Sequence, residues 1–149
     1  MYMSSLPLLL QLDRRVEIFA KREHVWNCYF SRLQPLKEKG KLLLPHVPPE
    51  CKHNSHIFYI RVLNRDCFEL LGRLSKEKGI GLFTHYIPLH MSTGGKKYGR
   101  AHGLLQESMT CNDQLYRLPL WPDLTDDDVD YVINFIFEVM GEAQGLPGS

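Results

Sequence analysis

The stretch Ile57-Phe58-Tyr59-Ile60-Arg61-Val62 is rich in β-branched and aromatic residues, and it predicts a β-strand. Phe58, Ile60 and Val62 would share one face of this strand, because alternate side chains point to the same side. Further along the chain, residues 80–84 predict a second short strand. The two strands together favour a small sheet surrounded by helices.

A helix is predicted between these two strands. Asp66 followed by Glu69 resembles a capping box at its start, and Gly79 is placed to end it. A shorter helix is predicted near residues 110–116. The apolar face of the helix that starts at Asp66 comprises Leu70, Leu71 and Leu74.

The last helix has the clearest local signals in the chain. Thr125 is a good N-cap, and Asp128 completes a capping box with it. Leu124 and Val129 occupy the two positions of a hydrophobic staple, and Gly141 is placed to end the helix. The predicted buried face comprises Val129, Val132, Ile133, Ile136 and Met140.

The N-terminal third predicts one long amphipathic helix that ends near Pro35. Its apolar stripe comprises Leu12, Val16, Phe19, Trp26, Phe30 and Leu33. The preceding run Leu6–Leu10 adds further apolar surface. Two interpretations stay open for this surface: it packs on the final helix, or it is covered by a partner domain or subunit.

The predicted order is helix, strand, helix, strand, helix, helix, which favours an α+β domain with a small antiparallel sheet. A chain of 149 residues fits one domain, and its net charge of +1 gives no argument for nucleic acid or an anionic membrane as a partner.

The run Leu6–Leu10 is too short to span a membrane and contains Pro7. The four cysteines form no CxxC pair and fit free thiols, so a cytoplasmic protein is expected.

Chemistry concentrates in His85-Tyr86-Ile87-Pro88-Leu89-His90, which is followed by Gly94-Gly95-Lys96-Lys97-Tyr98-Gly99. Two imidazoles, a phenol and a basic glycine-rich turn are typical of sites for anionic, polyhydroxylated ligands. Backbone N–H groups and ammonium groups of such a turn can bind a diphosphate. The alternative is a solvated surface turn that follows the end of a strand.

Other chemistries find less support in the sequence. The pairs His53/His56 and His85/His90 lack a convergent third ligand, so no metal site is expected. Standard nucleophile and phosphate-loop signatures are absent from the sequence. A basic and aromatic cluster that includes Lys96, Lys97 and Arg100 could contact nucleic acid, but it is small, and no nucleic-acid partner is expected.

Several motifs in order resemble the C-terminal part of the DegT/StrS-type aminotransferases, which are pyridoxal-phosphate enzymes of fold type I. The resemblance covers roughly residues 11–140. It rests on Gln11-Leu12-Asp13 with Lys21-Arg22 and Trp26, on His53-Asn54-Ser55-His56-Ile57-Phe58-Tyr59, on Lys78-Gly79-Ile80-Gly81 before His85–His90, on Lys96-Lys97-Tyr98-Gly99-Arg100, and on Arg117-Leu118-Pro119-Leu120 followed by Leu124-Thr125.

The resemblance implies a transaminase that aminates the 4-keto group of a dTDP-linked 4-keto-6-deoxy sugar, with glutamate as donor and a homodimer as the assembly. In such enzymes a lysine holds pyridoxal phosphate as a Schiff base, and that lysine lies in a large domain upstream of the matching segments. Lys76, Lys78, Lys96 and Lys97 do not lie in that context. The expectation is therefore a chain without the Schiff-base lysine, with no cofactor bound and no activity by itself.

The resemblance also divides the chain into a linking segment and long helix (1–34), a small α+β domain (35–144) and a tail (145–149). It assigns His85, Tyr86 and His90 to substrate contacts. Lys96, Lys97 and Arg100 are expected to meet the nucleotide diphosphate, whereas Arg117 is expected to be structural. The alternative function is a free-standing α+β binding or interaction module without catalysis.

Overall fold

The computed structural model describes residues 5–141 of the chain. It contains seven α-helices, four short strands and one 3-10 turn within that range. In chain order these are α1 (Ser5–Asp13), α2 (Arg15–Arg32), α3 (Gln34–Glu38), β1 (Leu42–Leu43), β2 (Tyr59–Val62), α4 (Arg65–Glu77), β3 (Phe83–Thr84), the 3-10 turn (Leu89–Met91), α5 (Thr93–Tyr98), α6 (Gln106–Asn112), β4 (Leu115–Arg117) and α7 (Asp126–Val139).

The four strands form one antiparallel sheet in the order β1-β2-β4-β3. Phe58, Ile60 and Val62 are all fully buried, which confirms the predicted inward face of the central strand. Ile60 is paired with Tyr116 in the register of β2 and β4, and Tyr116 in turn is paired with Thr84 of β3. The predicted α+β class is confirmed.

Helices α2, α4 and α7 contribute core residues that pack together with those of the sheet. Trp26 of α2 contacts Phe58 edge to face, with ring centroids 5.3 Å apart, and its indole N–H donates to the Ile57 carbonyl at 3.2 Å. Tyr29 is completely buried beside Phe58. These aromatic contacts attach α2 to the start of the central strand.

The predicted single N-terminal helix is wrong in its continuity. A break at Arg14 separates α1 from α2, and Leu12 and Val16 are exposed, so the apolar stripe is buried only in the later part of α2. The predicted end near Pro35 is confirmed, because α2 ends at Arg32. Pro35 itself lies in the first turn of the short helix α3, where its missing N–H costs nothing because no partner exists there for that group.

Two further predictions need correction. Residues 110–116 are not one helix, because α6 ends at Asn112 and Leu115–Arg117 pair with two other strands as β4. Asn64, not Asp66, caps α4: its side chain accepts a hydrogen bond from the Cys67 N–H at 2.9 Å.

The other predicted signals at the ends of α4 and α7 are confirmed. Gly79 follows α4 with φ of +69°, a conformation that glycine adopts without strain. Thr125 and Asp128 form the predicted capping box of α7, and both residues of the predicted staple, Leu124 and Val129, are buried.

The apolar N-terminal surface is only partly described. Met1–Ser4 and the side chains of residues 5–8 lie outside the described part, as does the predicted tail from residue 145. Leu9 and Leu10, which are described, are more than half exposed. No helix among the described residues has the length and apolar character needed to cross a membrane.

The capping box of α7 gives a direct test of this end of the fold. The Asp128 carboxylate accepts hydrogen bonds from the Thr125 hydroxyl at 2.6 Å and from the Thr125 N–H at 3.1 Å, and these bonds lower the pKa of Asp128. Thr125→Ala should therefore reduce the free energy of unfolding by about 1 kcal/mol at neutral pH, as measured by urea titration.

The pH dependence of this loss has a defined sign. Because the folded-state pKa of Asp128 is lowered, its contribution is present above the unfolded value of about 4 and disappears as the pH falls below it. The difference between Thr125→Ala and the parent should shrink in acid. Thr93→Ala, at an exposed position on α5, is the control with the same side-chain change. A difference that stayed constant down to pH 3 would contradict the assigned role of Asp128.

Candidate functional site

The segment 85–105 leaves the edge strand β3 and borders a cavity of about 1110 Å³. It runs extended to Pro88, forms the 3-10 turn and then α5, and continues without regular structure to α6. Residues at the start of β4 and on α6 close the opposite side of the cavity. The site is thus formed mainly by the chain segment that connects β3 to β4, two strands that are neighbours in the sheet.

The structure brings together five of the six residues that the sequence predicts for substrate contacts. His85, Tyr86, His90, Lys96 and Arg100 all line the cavity. The sixth, Lys97, is not among the lining residues. Its ammonium group lies 5.0 Å from the centre of the Tyr98 ring.

Tyr86 is held in place although its side chain is 74% exposed. The guanidinium carbon of Arg117 lies 5.2 Å from the centre of the Tyr86 ring, and the His85 ring meets the same phenol edge to face at 5.6 Å. Arg117 also donates to the Thr84 carbonyl at 3.4 Å. Arg117 therefore positions the aromatic part of the site from β4, in line with the structural role that the sequence predicts for it.

His90 lies deeper in the wall than the other predicted residues. Its Nε2 atom is buried and has no hydrogen-bond partner among the described residues. Leaving a polar group buried and unpaired costs about 1–3 kcal/mol. Because this atom is shielded from solvent, a ligand in the cavity reaches it only if neighbouring side chains move.

The two glycines of the basic segment do not form the open turn expected from the sequence. Thr93–Tyr98 is helical, and the Ser92 hydroxyl caps this helix by accepting from the Gly95 N–H at 3.0 Å. The same hydroxyl donates to the Leu89 carbonyl at 2.8 Å. A Cβ atom on Gly95 would lie 1.7 Å from that carbonyl oxygen, so this position requires glycine.

Helix α6 supplies lining residues that the sequence did not indicate, among them Glu107, Ser108 and Asn112. Arg61 of β2 holds the Glu107 carboxylate at 3.1 Å and donates to Gln114 at 2.8 Å. The pairing of β4 with β2 creates this contact. No local pattern indicates it, because the residues involved lie far apart in the sequence.

The cavity combines positive charge with exposed apolar surface. Lys96 and Arg100 contribute ammonium and guanidinium groups, while the one lining carboxylate, Glu107, is already paired with Arg61. Tyr86, Leu89 and Tyr98 are each more than 70% exposed. Such a surface suits a ligand that is anionic at one end and carries flat or apolar groups elsewhere.

The described residues do not fit pyridoxal phosphate as a covalently held group. A lysine that forms a Schiff base is usually activated by burial. Lys96 and Lys97 are exposed on the short helix α5, and Lys76 and Lys78 are exposed and do not line the cavity. No step of a reaction is therefore assigned to a lysine of this chain.

The histidines considered as metal ligands have other partners. His53 packs on Trp26, with ring centroids 4.2 Å apart, and its Nδ1 accepts from the Ser55 N–H at 3.2 Å. His56 contacts the Arg22 guanidinium through Nδ1 at 3.1 Å. Both imidazoles thus stabilise the entry to β2.

Comparison with known proteins agrees with the fold and with the arrangement of motifs. Residues 3–137 match the sequence profile of the DegT/DnrJ/EryC1/StrS aminotransferase family. The chain belongs to this family. The match includes every element from α1 to most of α7, and therefore the whole cavity wall.

Individual relatives and solved structures are longer than this chain. The spore coat polysaccharide biosynthesis protein SpsC of Bacillus subtilis is 27% identical over 137 residues, which cover 89% of this chain and 34% of SpsC. DesV of S. venezuelae superposes with a TM-score of 0.78 at 26% identity, over 92% of this chain and 36% of DesV. NtdA of Bacillus subtilis, solved with bound cofactor PMP, superposes with a TM-score of 0.69 at 26% identity, over 84% of this chain and 29% of NtdA. The chain thus spans about a third of the length of these relatives.

The close approach at Gly95 generates a prediction for the site. Gly95→Ala should destabilise the 3-10 turn and α5, because the new methyl group cannot fit against the Leu89 carbonyl, and we expect a loss of about 1–3 kcal/mol of unfolding free energy. Gly94→Ala is the matched control, since a Cβ there meets nothing within 4 Å. It should stabilise α5 by up to about 1 kcal/mol.

Both variants are compared by chemical denaturation and by backbone amide NMR spectra. Shifts from Gly95→Ala should extend over residues 85–99, whereas those from Gly94→Ala should stay close to the substitution. Equal effects of the two substitutions would contradict the described packing of Gly95 against Leu89.

Proposed function

We propose that this chain is the C-terminal part of a pyridoxal-phosphate-dependent transaminase that aminates the 4-keto group of a dTDP-4-keto-6-deoxy sugar. Glutamate is the proposed donor, and the segments His85–His90, Gly94–Gly103 and Tyr116–Leu120 resemble dTDP-4-amino-4,6-dideoxygalactose transaminase. The observation that carries the proposal is the cationic, aromatic cavity wall within a chain of this aminotransferase family. The sugar-related names of its relatives, such as SpsC, point to the same substrate class.

The lining residues suggest a division of roles along the ligand. Lys96 and Arg100 are proposed to neutralise the diphosphate, because both are cationic and both line the cavity. Lys97, which the sequence assigns to the same role, lies outside the lining and is proposed to add to the local positive potential.

The sugar is proposed to lie toward the histidines. His85 and the Tyr86 phenol border the open part of the cavity, where they can bond to hydroxyl groups. His90 also lines the cavity and is proposed to contact the sugar. Arg117 contributes indirectly, because its guanidinium fixes the Tyr86 ring from behind.

The site is proposed to be one wall of a larger one. Its aromatic and aliphatic residues are widely exposed, and the chain covers about a third of the relatives it matches. When bound, pyridoxal phosphate supplies the electron sink for transfer of the amino group. We propose that a large domain and a second subunit complete the site, in a cytoplasmic homodimer without membrane or nucleic-acid partners. The proposed division of the chain is residues 1–34, residues 35–144 and the tail 145–149.

Recognition of the diphosphate can be tested on the chain itself. Titration with dTDP, followed by amide NMR, should shift the signals of residues 85–105. The double substitution Lys96→Ala with Arg100→Ala should weaken binding about tenfold, at roughly 0.7 kcal/mol for each exposed cation. Lys37→Ala on α3, beside β1 at the opposite edge of the sheet, should leave the affinity unchanged.

Thymidine is the ligand control for this titration. It lacks phosphates, so it should bind more weakly than dTDP, and added salt should reduce only the difference between the two. If thymidine and dTDP bound equally, or if Lys37→Ala and the double variant lost affinity to the same extent, the proposed diphosphate site would be refuted.

A second prediction concerns catalysis by the chain alone. Incubation of the 149-residue chain with pyridoxal phosphate, glutamate and dTDP-4-keto-6-deoxyglucose should give no aminated sugar, because no lysine here is placed to hold the cofactor. The measurement is mass spectrometry of the sugar product. Turnover would contradict the proposal of an incomplete site. Tight sugar binding by a monomer that gains nothing from any partner domain would favour the interaction-module alternative.

A further inference from the structure

Helices α2 and α7 meet along a line of polar contacts that is separate from the cavity. We call this line the α2–α7 seam and define it by three pairs that join α2 to α7 or to the turn before it: Lys21 with Asp123, His24 with Asp126, and Arg32 with Asp130. The contact between His24 Nε2 and Asp126 Oδ1 measures 2.7 Å. Each pair joins residues about one hundred positions apart in the chain, so the seam depends on the tertiary fold.

Cys28 interrupts this series of charge pairs. It lies one turn after His24 on α2 and one turn before Arg32, so all three side chains share one face of the helix. Its Sγ atom is 3.7 Å from His24 Nε2. The ligand atoms of His24, Cys28 and Asp126 all lie within 4.8 Å of one another. A thiol, an imidazole and a carboxylate thus converge on one point.

We propose that His24, Cys28 and Asp126 form a binding site for a divalent transition-metal ion, with Zn²⁺ as the expected occupant. The donor set of sulfur, nitrogen and oxygen is one that Zn²⁺ accepts. Three protein ligands leave a fourth position for water. This proposal concerns a surface away from the substrate cavity and does not depend on the proposed function.

Two of the three ligand separations fit a tetrahedral ion after a small adjustment. Zn–S bonds of about 2.3 Å and Zn–N bonds of about 2.05 Å place sulfur and nitrogen about 3.6 Å apart at the tetrahedral angle. The observed separation of Cys28 Sγ and His24 Nε2 is 3.7 Å. The corresponding N···O separation is about 3.3 Å, so the Asp126 carboxylate must move away from His24 by roughly 0.6 Å. The Asp126 side chain is 75% exposed and can make that movement.

The neighbouring charges are compatible with a cation at this point. Arg32 is the nearest cation along α2, and its guanidinium is already paired with Asp130. Lys21, on the other side, is shared between Glu17 and Asp123. Both of these positive charges are therefore paired with carboxylates and would not repel an ion at the three ligands.

Binding of the ion changes the protonation of the ligands in a balanced way. The thiol of Cys28 releases one proton to solvent and binds as a thiolate. The imidazole of His24 loses the Nε2 proton that bonds to Asp126, carries its remaining proton on Nδ1 after exchange with solvent, and binds the ion through Nε2. Asp126 exchanges the hydrogen bond at Oδ1 for a bond to the ion.

The test uses the full chain, purified without metal and titrated with Co²⁺ and then Zn²⁺. Co²⁺ should bind with one-to-one stoichiometry and give a near-ultraviolet charge-transfer band from a single thiolate, and Zn²⁺ should displace it. Zn²⁺ should also raise the melting temperature, because it links α2 to α7 only in the folded state.

Two ligand variants and one matched control make the result specific. Cys28→Ser should abolish the charge-transfer band, and His24→Asn should weaken binding more than tenfold, since even loss of an outer-shell partner costs about 10–100-fold. Cys67→Ser alters another half-buried cysteine, on α4, and should keep both the band and the affinity. All variants change side chains at or near the surface, and helical circular dichroism verifies that each is folded.

Two outcomes would overturn the proposal. One is the absence of saturable binding of either ion to the folded chain. The other is a band or an affinity that survives in Cys28→Ser and His24→Asn, because the ion would then occupy some other group. A melting temperature that rose equally with Zn²⁺ in Cys28→Ser and in the parent chain would lead to the same conclusion.

Discussion

The antiparallel pairing of β2 with β4 is the constraint on which the rest of the structure depends. Hydrogen bonds from Leu118 N–H to the Phe58 carbonyl at 2.9 Å and from Val62 N–H to the Gln114 carbonyl at 2.8 Å extend this pairing beyond both ends of β4. With β4 inserted between β2 and β3, the chain must leave the sheet at His85 and return at Leu115. The cavity wall is the segment that makes this excursion. A shift of the register by one residue would turn Ile60 and Val62 out of the core.

The same pairing explains why the sheet and the site could be predicted to different extents. The central strand was predicted because Phe58, Ile60 and Val62 alternate with more exposed residues over several positions. β4 was missed because Leu115–Arg117 is three residues long and directly follows a helical turn, so that no period can be recognised in it. Its conformation comes from its two neighbours in the sheet, which supply hydrogen bonds that local sequence does not specify.

Helix ends were predictable where the residue type matches a local requirement of the backbone. The side chains of Thr125 and Asp128 bond to nearby backbone N–H groups, and Gly79 adopts a positive φ without strain. The long N-terminal stripe was only partly right: Leu12 and Val16 have helical spacing, yet α1 and the start of α2 extend beyond the surface that buries Val25 and Trp26. Periodicity predicts which face of a helix is apolar, but it does not say what lies opposite that face.

The candidate site was located from the sequence because its residue types are unusual for a core and are close together in the chain. His85, Tyr86 and His90 needed no tertiary information to be grouped. What the sequence did not give is the set of contacts that make the group rigid: Arg117 behind Tyr86, Arg61 on Glu107, and the Ser92 hydroxyl that joins the Leu89 carbonyl to the first turn of α5. The α2–α7 seam shows the same limit, since His24 and Cys28 have the spacing of a ligand pair but Asp126 becomes their neighbour only when α7 packs on α2. Chemistry that is local in sequence can be read before the fold is known, whereas chemistry built across elements depends on the packing that brings its parts together.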